Sequence, residues 1–226
     1  MKLLKIIILV ILIFSLIFSC SLKKPVSFGE YVRISEKSKQ EYKNEVTAII
    51  TKTDEFRTKK IDFIVYKKYS IGSIRLNRID SNTCLNCNPD YPLYLIWNEN
   101  GKTWIQKFDS CGLFFPVELK NSKIVNFINE NFEIITSEKI KYYRTDKNTY
   151  SMVDHSTFKQ FLIVKSDIEI YNHFDVYNLS NDSDDANINY QYNNNLKIIK
   201  LDKIVEEEIQ ELNSQNLFKR DLSQCR

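Results

Sequence analysis

The stretch Leu93-Tyr-Leu-Ile-Trp-Asn-Glu-Asn-Gly-Lys-Thr-Trp-Ile-Gln-Lys-Phe108 decides the fold class of this 226-residue chain. Two apolar and aromatic runs flank Asn100-Gly101, a pair suited to a two-residue type I′ turn because both positions need positive φ. With that loop, Glu99 faces Lys102, Trp97 faces Trp104 and Ile96 faces Ile105. An opposite-charge pair beside the turn and an aromatic pair two steps back both favour this register. The stretch reads as an antiparallel hairpin.

Outward from it, further strands are expected over Ile61–Lys67 and Ser73–Ile79, with a turn at Ser70–Gly72. Leu113–Leu119, Phe158–Val164 and Ile168–Tyr177 read as three more. Helical signals sit near the ends. Ser38-Lys-Gln-Glu41 has capping-box spacing, and Tyr42, Val46, Ile49 and Ile50 behind it share one helical face. A strand through Val46–Thr51 is the competing reading. Ile124, Phe127, Ile128 and Asn131 suggest a short helix over 121–131. In the last helix Leu201, Ile204, Val205, Ile209 and Leu212 line one face, with Glu206–Glu208 mostly opposite. Residues 180–195 read as a polar loop or insertion. The expected fold is α+β: a largely antiparallel sheet with flanking N- and C-terminal helices.

Composition sets the bounds. Hydrophobic content of 43% and aromatic content of 13% suffice for a core, and about 200 residues make one domain, expected over 31–226. Glycine and proline number four each, and the only alanines are Ala48 and Ala186. The richness in Lys, Ile, Asn and Tyr looks like the codon bias of an AT-rich bacterial genome.

The N-terminus opens with Met1-Lys-Leu-Leu-Lys5, continues with the apolar run Ile6–Phe18 and reaches Ser19-Cys20. A bilayer-spanning helix needs about 20 apolar residues, so this run is short for one. It reads as a secretory signal. The tetrad Ile17-Phe18-Ser19-Cys20 resembles the bacterial lipoprotein box: an aliphatic residue, a tolerant position, a small residue, then cysteine. That resemblance covers residues 1 to 20 only. It implies a signal peptide over 1–19, cleavage before Cys20 and acylation of the Cys20 thiol with fatty acids such as palmitate. The lipidated tether would run over 20–30, with Pro25 and Gly29 in it. Two or more acyl chains hold a protein on a membrane, whereas one does so marginally. Ser21 and Leu22 carry no acidic retention signal of the enterobacterial kind, which favours the outer membrane of the cell envelope.

Removing residues 1–19 takes away Lys2 and Lys5, so the net charge falls from +3 to +1. Such a domain lacks the electrostatic footprint of a nucleic-acid binder, and no nucleic-acid partner is expected.

Cys84, Cys87, Cys111 and Cys225 remain, an even number in an oxidising compartment, and are disulfide candidates. Cys84-Leu-Asn-Cys87 has redox spacing. However, Asn88-Pro-Asp-Tyr-Pro92 follows and does not continue a helix whose N-terminus would stabilise a thiolate. A structural disulfide is therefore preferred, with Cys111 bonded to one of the pair. An envelope thiol oxidoreductase using Cys84 and Cys87 is the competing reading. A small zinc-binding domain, with Cys84, Cys87, Cys111 and one of His155, His173 or Cys225, is the other.

The remaining motifs favour bland readings. Asp154-His155-Ser156 places three triad residue types in a row, but a triad converges from separate elements. No G-x-S-x-G elbow, phosphate-binding glycine loop or dinucleotide fingerprint occurs. Asp182, Asp184 and Asp185 lack the central glycine and terminal glutamate of a calcium loop, where Asn187 and Asn193 stand instead. Neither metal nor cofactor is expected. Tyr91, Tyr94, Trp97 and Trp104 can build a binding face, since aromatic residues dominate interface anchors, but a packed core with one exposed aromatic ladder is the preferred reading. Together these readings lead to an expected non-enzymatic, lipid-anchored binding domain. An immunity- or inhibitor-type protein that meets a toxin or another envelope protein is one version.

Overall fold

The computed structural model describes residues 43–70, 91–109, 112–145, 149–181 and 185–224. Cys20, Cys84, Cys87, Cys111 and Cys225 lie outside them, as do the signal, the tether, the 38–41 capping box and the Ser73–Ile79 strand.

Helix α1 spans Lys43–Lys59, which decides the helix-or-strand ambiguity at Val46–Thr51 in favour of helix. Its C-terminal Arg57 and Lys59 suit the negative end of the helix dipole. Strand β1 (Phe63–Ser70) follows, then the hairpin β2 (Leu93–Glu99) and β3 (Lys102–Asp109). The hairpin has the expected register, with Trp97 opposite Trp104 and Glu99 opposite Lys102. Asn100 and Gly101 take φ of 54° and 75°, as the turn requires. The single strand expected over Leu113–Leu119 is two short pieces, β4 (Gly112–Leu113) and β5 (Val117–Glu118). Pro116 between them has no N–H to give a ladder.

Helix α2 spans Lys123–Ser137 and outruns the expected stop at 131 because Phe132 and Ile135 extend its buried stripe. Strands β6 (Thr157–Lys165) and β7 (Ile168–Asp175) form a second tight hairpin. Its loop residues Ser166 and Asp167 both take positive φ without a glycine. Asp62 steadies that loop by accepting from the Ser166 backbone N–H at 2.8 Å. Beyond Asp175 the chain turns into a 3₁₀ segment, Val176–Leu179, capped by the Asp175 carboxylate. Hence the strand expected to reach Tyr177 stops two residues short. Helices α3 (Tyr190–Asn195) and α4 (Lys197–Ser214) complete the order.

The fold is α+β. All pairings in the seven-stranded sheet are antiparallel, in the order β4-β3-β2-β1-β6-β7, with β5 also on β3. Both faces of its centre are covered. On one, Ile64, Tyr66, Ile96, Ile105, Phe161 and Ile163 pack with Ile124, Ile128 and Ile135 of α2 and Leu201, Val205 and Leu212 of α4. On the other, Phe56 of α1 lies 5.9 Å from Phe63 and 5.2 Å from Trp97, ring centre to ring centre. No helix among the described residues is long and apolar enough to cross a membrane.

Two polar expectations are corrected. The segment 180–195 is not simply a solvated loop: it carries α3, and Asn187 and Asn193 are buried. Asn193 accepts from Lys141 N–H at 3.0 Å and donates to the carbonyls of Lys141 and Asn178, both at 2.8 Å. Asn187 donates to the carbonyls of Asn178 and Ser180, and Asn178 accepts from Tyr143 N–H. These amides do the work of a missing sheet ladder for three irregular segments. In α4 the glutamates are not uniformly outward. Glu208 is buried and Glu206 half-buried, because each has a partner on the sheet side or on the loop before α2.

Replacing Asn193 with alanine removes all three bonds that this buried amide makes, two to the Lys141 backbone and one to the Asn178 carbonyl. Urea unfolding should show a loss of about 3 kcal/mol, whereas Asn195→Ala, on the exposed side of α3, should change stability by less than about 0.5 kcal/mol.

Candidate functional site

The first chemically loaded constellation lies between the sheet and α4. Tyr66 and Lys68 on β1 and Lys159 on β6 point to the same face, because alternate strand residues share a side. Across from them, Asp202 and Glu206 are one helical turn apart on α4. Lys159 Nζ lies 2.5 Å from Asp202 Oδ2 and 3.9 Å from Glu206 Oε1. Lys68 Nζ lies 2.8 Å from Glu206 Oε2. The Tyr66 hydroxyl donates to Glu206, with Asp202 Oδ1 3.3 Å away.

Burial raises the Asp202 carboxyl above the ordinary range, against the pull of Lys159. Burial also acts to raise Glu206, but hydrogen bonds from Lys68 and Tyr66 together with the Lys159 charge outweigh it and hold Glu206 low. Burial beside two carboxylates drives the Tyr66 phenol far above its usual value, so it stays protonated. Two cations, two anions and a phenol thus satisfy one another inside the fold. Such a set fixes how α4 docks on the sheet.

The second feature is a cleft of about 1040 Å³ at the turn end of the sheet. Its floor includes Ile64, Ile96 and Trp97, the ends of adjacent strands. Around it stand the β2–β3 turn with Asn98 and Asn100, the β6–β7 turn, and Asn126 and Asn129 of α2. Lys59, Lys60 and Lys165 face it together with Asp62, Glu99 and Asp167. Arg57 and Glu169 also line it, so four cations and four anions among neutral amides make a polar, mixed surface. Trp97 Nε1 is buried there without a hydrogen-bond partner. The Lys52 ammonium lies 4.2 Å from the Trp97 ring centre and donates to Gln106 Oε1 at 2.6 Å. Burial lowers the Lys52 pKa even though Glu55 and Glu99 oppose it.

The hairpin aromatics pack mainly into the core and do not share one face. Tyr94 and Trp97 lie three apart on a strand and so point to opposite sides of the sheet. Both are buried, Tyr94 against Tyr66 and Phe218 and Trp97 against Phe56. Trp104 is half-buried, stacked beside Trp97 at 6.4 Å. Burial pushes the Tyr94 phenol up to about 12. Tyr91 lies in a separate cluster with Tyr69, Phe158 and His173 at the other end of β1.

The two histidines are far apart in character. His155 is exposed on the loop before β6, and its neighbour Ser156 donates to Asp175. His173 stacks on Phe158 at 5.3 Å, with Nε2 3.2 Å from the Tyr69 hydroxyl. Burial lowers its pKa despite Asp175, which favours the neutral ring. Among the described residues no group of three or more His, Cys, Asp or Glu side chains is placed to hold a metal.

What strand periodicity missed was Lys159 and Asp202. A lysine inside an apolar strand, and an aspartate on the apolar stripe of a helix, are separate oddities until the fold pairs them. Truncating one partner of this buried pair, Lys159→Met, should cost about 3–5 kcal/mol in urea unfolding. The double variant Lys159→Met/Asp202→Leu should recover most of that loss. Glu206 has a sign of its own. Its folded pKa is depressed, so its stabilisation is present above the unfolded value of about 4.3 and lost as pH falls through the folded value. Unfolding midpoints measured from pH 6 to pH 3 should therefore fall less steeply for Glu206→Gln than for the parent.

No protein-family model, curated protein or solved structure matches this chain.

Proposed function

We propose that the chain is a lipid-anchored bacterial envelope protein whose sheet domain binds another macromolecule without catalysing a reaction. In this reading Cys20 carries the acyl chains, residues 20–30 form the tether, and the domain stands at the outer membrane. An immunity- or inhibitor-type role, intercepting a toxin or another envelope protein, is its concrete form.

One observation carries the binding half: the broad cleft at the turn end, with balanced charges and amides mounted on strand and helix ends. Small-molecule pockets are mostly apolar and bury their ligand. A wide rim of both charge signs instead suits the polar surface of a folded partner. The buried ionisable groups support the same reading, since Lys159, Asp202, Glu206 and Tyr66 are engaged with one another. The anchoring half rests on Ile17-Phe18-Ser19-Cys20. The cysteines set the competing oxidoreductase and zinc readings apart, and thiol titration of purified protein distinguishes them.

In cells fed labelled palmitate, the parent chain should incorporate label and sediment with membranes, and Cys20→Ser should do neither. An unmodified Cys20 in the intact mass of the native protein would overturn the anchor. For the binding half, a photo-crosslinking residue at Asn126 should give a discrete adduct in living cells, whereas one at Lys200, on the exposed face of α4, should not. Equal yields from both positions would sink the cleft as the binding surface.

A further inference from the structure

A second surface is better built for a particular kind of partner. Residues 142–145 run beside 149–151, with an antiparallel bridge between Arg144 and Tyr150. On the other side Ile188 N–H donates to the Arg144 carbonyl at 2.9 Å. Alternation along this small ribbon sends Tyr143 and Thr145 inward, 0% and 3% exposed, and Tyr142 and Arg144 outward. Tyr142, Tyr150, Met152 and Ile188 are 72%, 68%, 88% and 54% exposed. The rings of Tyr142 and Tyr150 meet edge to face at 6.5 Å. An apolar, aromatic patch therefore adjoins the half-buried Arg144.

The ribbon is held rigidly from beneath. Asn187 accepts from Arg144 N–H, Asn189 donates to the Tyr142 carbonyl, and Tyr143 stacks on Tyr177 at 4.6 Å. Little order is left to lose on binding, and this lowers the entropic cost of docking. Arg144 is different from its neighbours. Its Nε is buried without a hydrogen-bond partner. Among the described residues the other two arginines are paired, Arg57 with Glu169 and Arg220 with Asp109. Lys141, whose ammonium lies 3.9 Å from the Tyr192 ring centre, adds positive charge at the rim.

We propose that this patch is the docking surface for an acidic segment of a protein partner, with a carboxylate received by Arg144 between Tyr142, Tyr150 and Ile188. Three features fit that occupant. A planar guanidinium pairs with a carboxylate through parallel N–H donors, and the two Nη groups, unlike the buried Nε, are the donors within reach of such a carboxylate. Tyrosine, methionine and arginine are enriched at protein interfaces, and anchors of this kind sit within apolar surroundings that exclude water. The patch joins the charge to rigid tyrosines, whereas an anionic membrane surface is met by several lysines around bulky apolar side chains. The inference deepens the binding reading by naming the partner's chemistry, and it rests on that reading.

Detergent-solubilised full-length protein can be applied to an array of 15-residue peptides that vary in Asp/Glu, Gln and Lys content around two fixed apolar positions. Acidic peptides should be retained over their Gln and Lys counterparts, and Arg144→Gln should weaken that retention about tenfold. Tyr142→Ser should weaken it several-fold, and Arg144→Lys should restore only part. The urea midpoint of each variant checks that the fold is intact. No charge preference, or retention unchanged in Arg144→Gln, overturns the proposal. Co-sedimentation of full-chain Cys20→Ser with phosphatidylglycerol vesicles but not phosphatidylcholine vesicles, lost on adding Arg144→Gln, would assign the patch to a lipid surface and equally overturn it. If the array fails while the Asn126 adduct persists, the binding domain stands and only this surface falls.

Discussion

The central strand pair β1 and β6 is buried on both faces, and this constraint organises the molecule. Phe63 and Val65 face one side while Ile64 and Tyr66 face the other, and all four are nearly inaccessible. A sheet with two apolar faces needs a layer over each, or it exposes surface worth about 25 cal/mol per Å². Helix α1 supplies cover on one side, and α2 and α4 on the other. The helices at the two ends of the described chain are thus answers to a single demand from the middle.

That double burial also explains the interior charges. Lys159 stands on a strand that points it beneath α4, where its ammonium needs a compensating anion. Asp202 and Glu206 meet it, and Tyr66 and Lys68 complete the set. An apolar replacement would pack as well, but charged partners fix orientation because a misplaced helix would leave ions buried alone. The same logic governs the asparagines. Residues 139–145, 178–181 and 185–193 have no long ladder to satisfy their backbones, so Asn178, Asn187 and Asn193 supply the missing donors and acceptors. A composition skewed toward asparagine has thereby been put to structural use. It builds the rigid underside of the exposed tyrosine ribbon.

The two surfaces differ in chemistry. The turn-end cleft is concave and balanced in charge, whereas the ribbon is apolar and tyrosine-rich around one guanidinium. Function on such a scaffold belongs to its sites, since the α+β architecture by itself hosts many activities. The aromatic residues that stood out in the hairpin belong mainly to the architecture. Tyr94 and Trp97 alternate into opposite layers, and only Trp97 reaches the cleft.

Local patterns were enough to define the hairpin at Asn100-Gly101, its register, the strands at 158–164 and after 168, and the apolar stripe of α4. Each depends on neighbours a few residues away: a turn that needs positive φ, a two-residue alternation, a 3.6-residue repeat. The order within 180–195 is not legible in the sequence, because it comes from amide contacts up to 52 residues distant, which leave no periodic trace. Tertiary structure alone brought Lys159 to Asp202, sent Tyr94 and Trp97 to different faces, and left the Arg144 Nε without a partner beside exposed tyrosines. Pairing of buried charges and the exposure of a side chain are properties of how layers stack. Stacking is settled by the whole set of apolar faces at once, and no window of sequence contains it.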